Sequence, residues 1–432
     1  MRIPLNRAAA IAAATVAALI APPGLPVQAA ATAGPGAWTG AWAAAMQQPS
    51  PGGMPGSTNW SEAGFTDHTL RQVVRVSTGG AKLRIRLSNR YGATPLQVTG
   101  VTVGRAGAGA SVHPATLRPV TFRHWPGTVI PAGQEAVSDA VRLPVAALDK
   151  VSVTLYVKAP TGPATFHDIA SATTYRARGD HRLDPRATAF TETSSSWYYL
   201  TGVDVLGGTG SVVTFGDSVT DGTGSTEGAD NRYPDQLAER LAASGRRLGV
   251  LNAGISGNRL LNDSACFGEN ASARFRRDVL DRPGVQSVIV MEGINDITYP
   301  LMDTPCSKPN TAVTAEQLIE GHRALIRAAR AHGIKVIGGT IMPFKGNPWL
   351  YPQDNAQTLA MEKTRDAVNH WIRTGGEYDA VVDFERVLAD PHDPDRLRPE
   401  YNTRDGQEGD WLHPNDAGLD AMARAIDLGT LR

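Results

Sequence analysis

SVVTFGDSVTDG, residues 211–222, runs from an apolar, β-branched stretch straight into Gly216-Asp217-Ser218. The grammar of the chain changes here. Downstream, the strand candidates are SVVTF, RRLGVLNAG, QSVIVMEG, IKVIGGTIMP and YDAVVDFE. Between them lie amphipathic runs such as YPDQLAERLAAS, TAEQLIEGHRALIRAARAHG and AQTLAMEKTRDAVNHWIRTG, and PNDAGLDAMARAIDLG closes the series. Nearly continuous apolar strands alternating with helices predict a parallel sheet covered on both faces. Five strands fit an α/β, three-layer, flavodoxin-like domain over residues 211–432, with any site outside the carboxyl ends of the strands.

Upstream, residues 37–200 show short alternating strands and almost no helical periodicity. RQVVRVSTGGAKLRIRLSNRYG holds two alternating runs around Gly79-Gly80, which predicts a hairpin. LQVTGVTVGRAG, AVSDAVRLPV and KVSVTLYVKAP add further strands, so this part is expected to be a β-sandwich or jelly roll accessory domain.

Four short segments of the downstream part hold reactive or hydrogen-bonding groups just after a predicted strand or just before a helix. Ser218 follows the first strand, where Asp-Ser is either an ordinary helix cap or a nucleophile on its pedestal. Gly257 in NAGISGNRLL follows the second; it either makes a tight turn or brings a bare backbone N–H up to a substrate oxygen. Asn295 in EGIND follows the third and offers a neutral side-chain donor of the kind used against a developing oxyanion, with Asp296 beside it as a candidate cap. DWLHPND precedes the last helix; Asp410 and His413, three apart, can share one ring nitrogen and leave the other for a nucleophile. Pro414 suits a first helical position.

Taken jointly, in this order and at one rim of one sheet, these segments resemble the blocks of the SGNH (GDSL-type) hydrolases: FGDSVTDG, NAGISGN, GIND and DWLHP. The resemblance covers roughly residues 211–432, with Val219 where the family expects Leu, at a packing position. More loosely, the upstream part is similar to that of an extracellular bacterial subset akin to xylan-cluster acyl esterases. The resemblance implies Ser218 as nucleophile, His413 as base and acid, and Asp410 as its orienting partner. It implies an oxyanion hole from the N–H groups of Ser218 and Gly257 and the Asn295 amide, with Asp217 fixing the turn.

Rival chemistries lack their motifs. The chain has no Gly-x-Ser-x-Gly elbow, Walker-type loop, HExxH or dinucleotide fingerprint, so neither a cofactor nor a metal is expected. Lys plus Arg and Asp plus Glu are 42 each in 432 residues, and this balance gives no reason to expect a nucleic-acid partner. Arg2 and Arg7 flank AAAIAAATVAALIA, and PPGLPVQAAATA supplies small residues at cleavage-type spacing, so residues 1–31 read as a secretory signal peptide and the protein as secreted and bacterial. No segment is apolar and long enough to span a membrane. In an exported protein the pair Cys266 and Cys306 is expected as a disulfide, closing a loop whose chain entropy is worth about 4 kcal/mol.

The expected substrate is a small-molecule or polysaccharide ester bearing a short acyl group such as acetyl. The alternatives are a lipase or phospholipase of the same chemistry, and a catalytically silent glycan-binding protein. Phe344, Trp349, Tyr351 and Trp411 are candidate walls of a pocket, and Trp38, Trp42, Trp60 and Trp125 are either glycan platforms or core packing. The oligomeric state is left open by the sequence.

Overall fold

The computed structural model describes residues 37–52, 59–350, 355–403 and 409–432. The expected signal segment therefore lies outside the described residues, as does Tyr351.

The amino-terminal part is a two-sheet antiparallel sandwich. One sheet has six strands, in the order Glu192–Ser194, Thr174–Arg178, His68–Arg75, Lys150–Val157, Gly100–Arg105 and Arg118–Val120. The other has four: Trp38–Ala43, Leu200–Leu206, Lys82–Ser88 and Glu135–Val137. Alternation in the sequence becomes alternation of faces. Leu83, Ile85 and Leu87 point into a shared core with Leu70, Val153 and Leu155 of the facing sheet, while Arg84 and Arg86 stay outside it.

The expected hairpin around Gly79-Gly80 does not form. His68–Arg75 pairs with Lys150–Val157 and Thr174–Arg178, whereas Lys82–Ser88 joins the other sheet. Both runs carry an apolar face, and placing them in opposed sheets lets both faces meet across the core. The glycines serve a close crossing instead: a Cβ at Gly79 would lie 2.7 Å from Val145 O, and one at Gly80 2.7 Å from Leu206 O.

The carboxyl-terminal part has the predicted parallel sheet. Its order is Leu248–Gly254, Gly210–Gly216, Val285–Met291, Lys335–Gly339 and Ala380–Val382, so the first strand in sequence lies second, as in flavodoxin-like sheets. Alternate residues of the strand Gly210–Gly216 serve the two faces. Val213 and Phe215 pack beneath helices Ala315–Ala331 and Ala356–Thr374, and Val212 packs with Tyr233–Ala243 and Asp416–Ala425. Thr314, Asn355 and Asn415 cap three of these helices through their side-chain oxygens. Asn415 takes the cap, so Pro414 stands before the helix and not at its first turn.

The sandwich and the parallel sheet meet along Trp38–Ala43. Gly249 has no room for a Cβ, which would fall 1.9 Å from Gly40 O, and Ser77 Oγ accepts the Val250 N–H at 2.8 Å. Ala43 and Ala45 belong to the same apolar cluster as Leu251 and Phe215.

Candidate functional site

The strand Gly210–Gly216 ends where a side chain has no space: a Cβ on Gly216 would lie 2.5 Å from Met291 O. Asp217 Oδ1 then accepts the Val219 N–H at 3.1 Å and starts the single helical turn Ser218–Asp221, which Gly222 ends at φ 111°. Ser218 thus stands at the carboxyl edge of the sheet, 7% exposed. Burial raises the Asp217 carboxyl above the ordinary range, which suits a turn-fixing role.

His413 reaches Ser218 from the far end of the chain. Its Nε2 lies 2.8 Å from Ser218 Oγ and its Nδ1 2.5 Å from Asp410 Oδ2. The other Asp410 oxygen accepts the N–H groups of Leu412 and His413 at 2.9 and 2.8 Å, so the three-residue spacing closes on itself. Trp411 has a left-handed φ of 54° and is held by its N–H to Asn402 Oδ1 and by the Arg396 guanidinium 3.7 Å from its ring centre. Burial opposes ionisation of Asp410, but the His413 ring and the two amide donors outweigh it and hold the carboxyl at about 2. The carboxylate therefore stays charged throughout the neutral range, and it orients the ring with Nδ1 as donor and Nε2 facing the serine.

Gly257 and Asn295 meet at the next residue, Asn258. Gly257 has φ +77°, and a Cβ there would strike the Phe267 ring at 2.4 Å, so only glycine fits. Asn295 Nδ2 donates to Asn258 O at 2.8 Å. An amide nitrogen carries two N–H groups, and this bond uses one. Among the described residues, the backbone N–H groups of Ser218 and Gly257 have no acceptor. Asp296 caps nothing: it lies within the short helix Ile294–Thr298 and accepts the N–H groups of Leu260 and Leu261 at 2.6 and 3.0 Å, tying the second segment to the third. Burial lifts its carboxyl to about 6.

One residue beneath the site was missed by motif reading. Arg274, fully buried, donates to Gly216 O at 2.9 Å, Ala253 O at 2.7 Å, Asn258 Oδ1 at 2.8 Å and Glu292 Oε1 at 3.1 Å. Its five N–H donors bind the ends of three adjacent strands together. In sequence it is one arginine among several in SARFRRD, with no local signal to single it out.

Cys266 and Cys306 form the expected disulfide and join the two loops beside Gly257. Phe267, next to Cys266, packs on Tyr299, whose hydroxyl donates to Gly257 O at 3.0 Å. Asn347 donates to Asp410 O at 2.8 Å and accepts the N–H of the exposed Trp349, while Phe344 is buried in the core. Of the upstream tryptophans, Trp42 packs edge-on against Trp197, Trp60 stacks on Tyr198, and Trp38 lies under Arg84. Trp125, 73% exposed, is the one left open to solvent. Among the described residues, the acidic trio Glu362, Asp366 and Asp395 has the spacing of a cation site, but the Arg365 guanidinium already lies 2.7 Å from both Glu362 and Asp395.

Residues 214–421 match the GDSL-like Lipase/Acylhydrolase family. Among curated proteins, none matches the chain. Solved structures similar to it include an acetyl xylan esterase from Geobacillus stearothermophilus, at 23% identity, covering 51% of this chain and 93% of that one with a TM-score of 0.36. The acetyl xylan esterase AlAXEase is similar at 20% identity over 50% of this chain and 96% of its own, TM-score 0.36. A GDSL-like lipase from Bacteroides thetaiotaomicron VPI-5482 is similar at 18% identity over 51% and 87%, TM-score 0.35.

Proposed function

The chain carries a GDSL-like lipase/acylhydrolase domain and is a carboxylic ester hydrolase; from that premise we propose that it is a secreted serine esterase working through an acyl-enzyme. Ser218 Oγ attacks the acyl carbon while its proton passes to His413 Nε2. The carbonyl π electrons move onto oxygen, and the N–H groups of Ser218 and Gly257 with the Asn295 amide stabilise that charge. As the carbonyl re-forms, the bond to the alcohol breaks, and the leaving oxygen takes the proton from His413. Water then repeats the sequence on the acyl-serine, releasing the carboxylic acid and restoring the Ser218 hydroxyl. Asp410 holds the ring and stabilises its transient positive charge.

The observation carrying this reading is the continuous chain Ser218–His413–Asp410, with links of 2.8 and 2.5 Å. A serine hydroxyl is a weak nucleophile at neutral pH and requires such a base. A short acyl group, acetyl foremost, suits a serine and a histidine only 7% and 9% exposed, with Phe267 closed against Gly257. Trp349, tied through Asn347 to the Asp410 loop, offers an exposed ring beside the site, which favours a carbohydrate on the alcohol side. Residues 1–31 serve in this reading as the export signal, 37–200 as an accessory sandwich and 211–432 as the catalytic unit.

A serine-reactive organophosphonate tests the nucleophile. Label mapped to Ser218 supports the assignment, and label on another serine or none removes it. Rates over acetyl, butyryl, octanoyl and feruloyl esters, with acetylated xylan alongside, test the substrate. Acetyl esters are expected to lead; octanoyl esters in front would make the protein a lipase, and no turnover of any would favour the silent glycan binder.

A further inference from the structure

A second histidine–aspartate pair lies behind the nucleophile turn, and its histidine comes from the sandwich. His167, in the strand Phe166–His167, is 2% exposed. Its Nδ1 is 2.8 Å from Ala45 O, and its Nε2 is 3.1 Å from Ile169 O and 3.0 Å from Asp221 Oδ1. Two carbonyls and a carboxylate accept and do not donate, so both ring nitrogens must carry hydrogen. The ring is an imidazolium paired with a buried carboxylate. Burial opposes that charge, yet Asp221 and the carbonyls outweigh it and raise the affinity of the ring for its proton. The charged neighbour on the other side is Arg232, stacked over Trp197, which itself stacks on His167; Asp235 neutralises Arg232 at 2.6 Å.

Asp221 closes the same helical turn that Ser218 opens. Its second oxygen accepts both the N–H and the hydroxyl of Ser256, at 2.9 and 2.8 Å. Ser256 immediately precedes Gly257. The carboxylate therefore bridges the two turns whose N–H groups face the oxyanion, and His167 fixes the direction in which that carboxylate points. Other residues of the sandwich grip the same loop farther on: Gln48 donates to Ala265 O at 2.8 Å, and Tyr91 to Glu269 at 2.9 Å.

We propose that His167 is a positioning residue for acyl transfer, acting through Asp221 to set the Ser256-Gly257 turn against the Ser218 turn, so that the sandwich completes the oxyanion site. The proposal rests on Ser218 being the nucleophile.

Two full-length variants separate this role from simple anchoring. A glutamine amide nitrogen reaches the place of Nε2, and an asparagine amide nitrogen that of Nδ1. His167→Gln keeps a donor for Asp221 and loses the one for Ala45; His167→Asn does the reverse. With p-nitrophenyl acetate, kcat is expected to fall about 10- to 100-fold in His167→Asn and less than about threefold in His167→Gln, with KM within about twofold in both. Equal losses in the two variants, or a change confined to KM, overturn the proposal. If either variant fails to fold, the wild-type protein decides: ¹⁵N chemical shifts showing His167 doubly protonated at pH 8 support it, and a neutral ring overturns it. Phosphonate labelling keeps the two readings apart. Wild-type enzyme unlabelled at Ser218 removes the nucleophile, whereas labelled enzyme with equal variants removes the role of His167 alone.

Discussion

Ser218–His413–Asp410 and Ser256–His167–Asp221 use the same three residue types, and the one-turn helix Ser218–Asp221 contributes to both. Their hydrogen bonds allocate protons differently. His413 faces a carboxylate on one side and a hydroxyl on the other, so Nδ1 donates and Nε2 remains free to accept. His167 faces only acceptors, so neither nitrogen can take a proton from anything. Its serine points at the carboxylate and not at the ring. Composition makes the two sets equivalent; the partner of each nitrogen underlies the proposal that one ring acts as a base and the other as a positioning group.

The largest effect should come from the first set. On the proposed mechanism, in which nucleophile and base act as a unit, Ser218→Ala is expected to lower kcat on p-nitrophenyl acetate by at least about 10⁴-fold. A loss below about tenfold would remove Ser218 as the nucleophile. Next comes the amide that holds the segment after Gly257. Asn295→Ala should reduce kcat by about 10²- to 10³-fold if its free N–H meets the oxyanion, measured with KM on the same ester.

A third buried histidine sharpens the contrast through pH. His322 shares one hydrogen bond with the Tyr378 hydroxyl, and burial pushes its pKa down to about 4. The folded state thus prefers the neutral ring. Its contribution to stability is complete above the unfolded value of about 6.5 and is lost as pH falls through about 4, roughly 3 kcal/mol in all. His322→Asn keeps an acceptor for Tyr378 and should remove that portion of the acid loss in urea titrations at pH 6.5 and 4. Asp410 also has a lowered pKa, at about 2, so its contribution is present above about 3.8 and starts to fall only at more acid pH. The smallest effect is expected at Ser256→Ala, within about fivefold in kcat, since the hydroxyl bonds to the Asp221 carboxylate and to Thr223 Oγ1 are removed while the backbone N–H bond to Asp221 remains. A loss there approaching that of Ser218→Ala would break the comparison.

Much of this was legible in the chain because the signals are local. The five parallel strands show as apolar runs, and each cap, turn and glycine of the site lies within a few residues of the group it positions. Asp410 and His413 illustrate this best, since a three-residue turn brings carboxylate and ring together whatever the rest of the chain does. The reading failed where a choice depended on distant partners. Gly79-Gly80 looks like a hairpin, yet the two strands it joins are drawn into opposed sheets by the core between them. Trp42, Trp60 and Trp125 are alike in sequence, and only packing separates the two buried or stacked rings from the exposed one.

By itself, then, the sequence determined the α/β architecture, the order of the four segments along one sheet edge and the pairing of Asp410 with His413. These follow from periodicity and short-range sterics. Tertiary structure alone decided that Arg274 ties three strand ends, that Asp221 links two turns, and that a histidine from the sandwich lies behind the Ser218 turn. Buried charges acquire a role only from the partners that compensate them, and the partners of His167 stand 54 and 122 residues away along the chain.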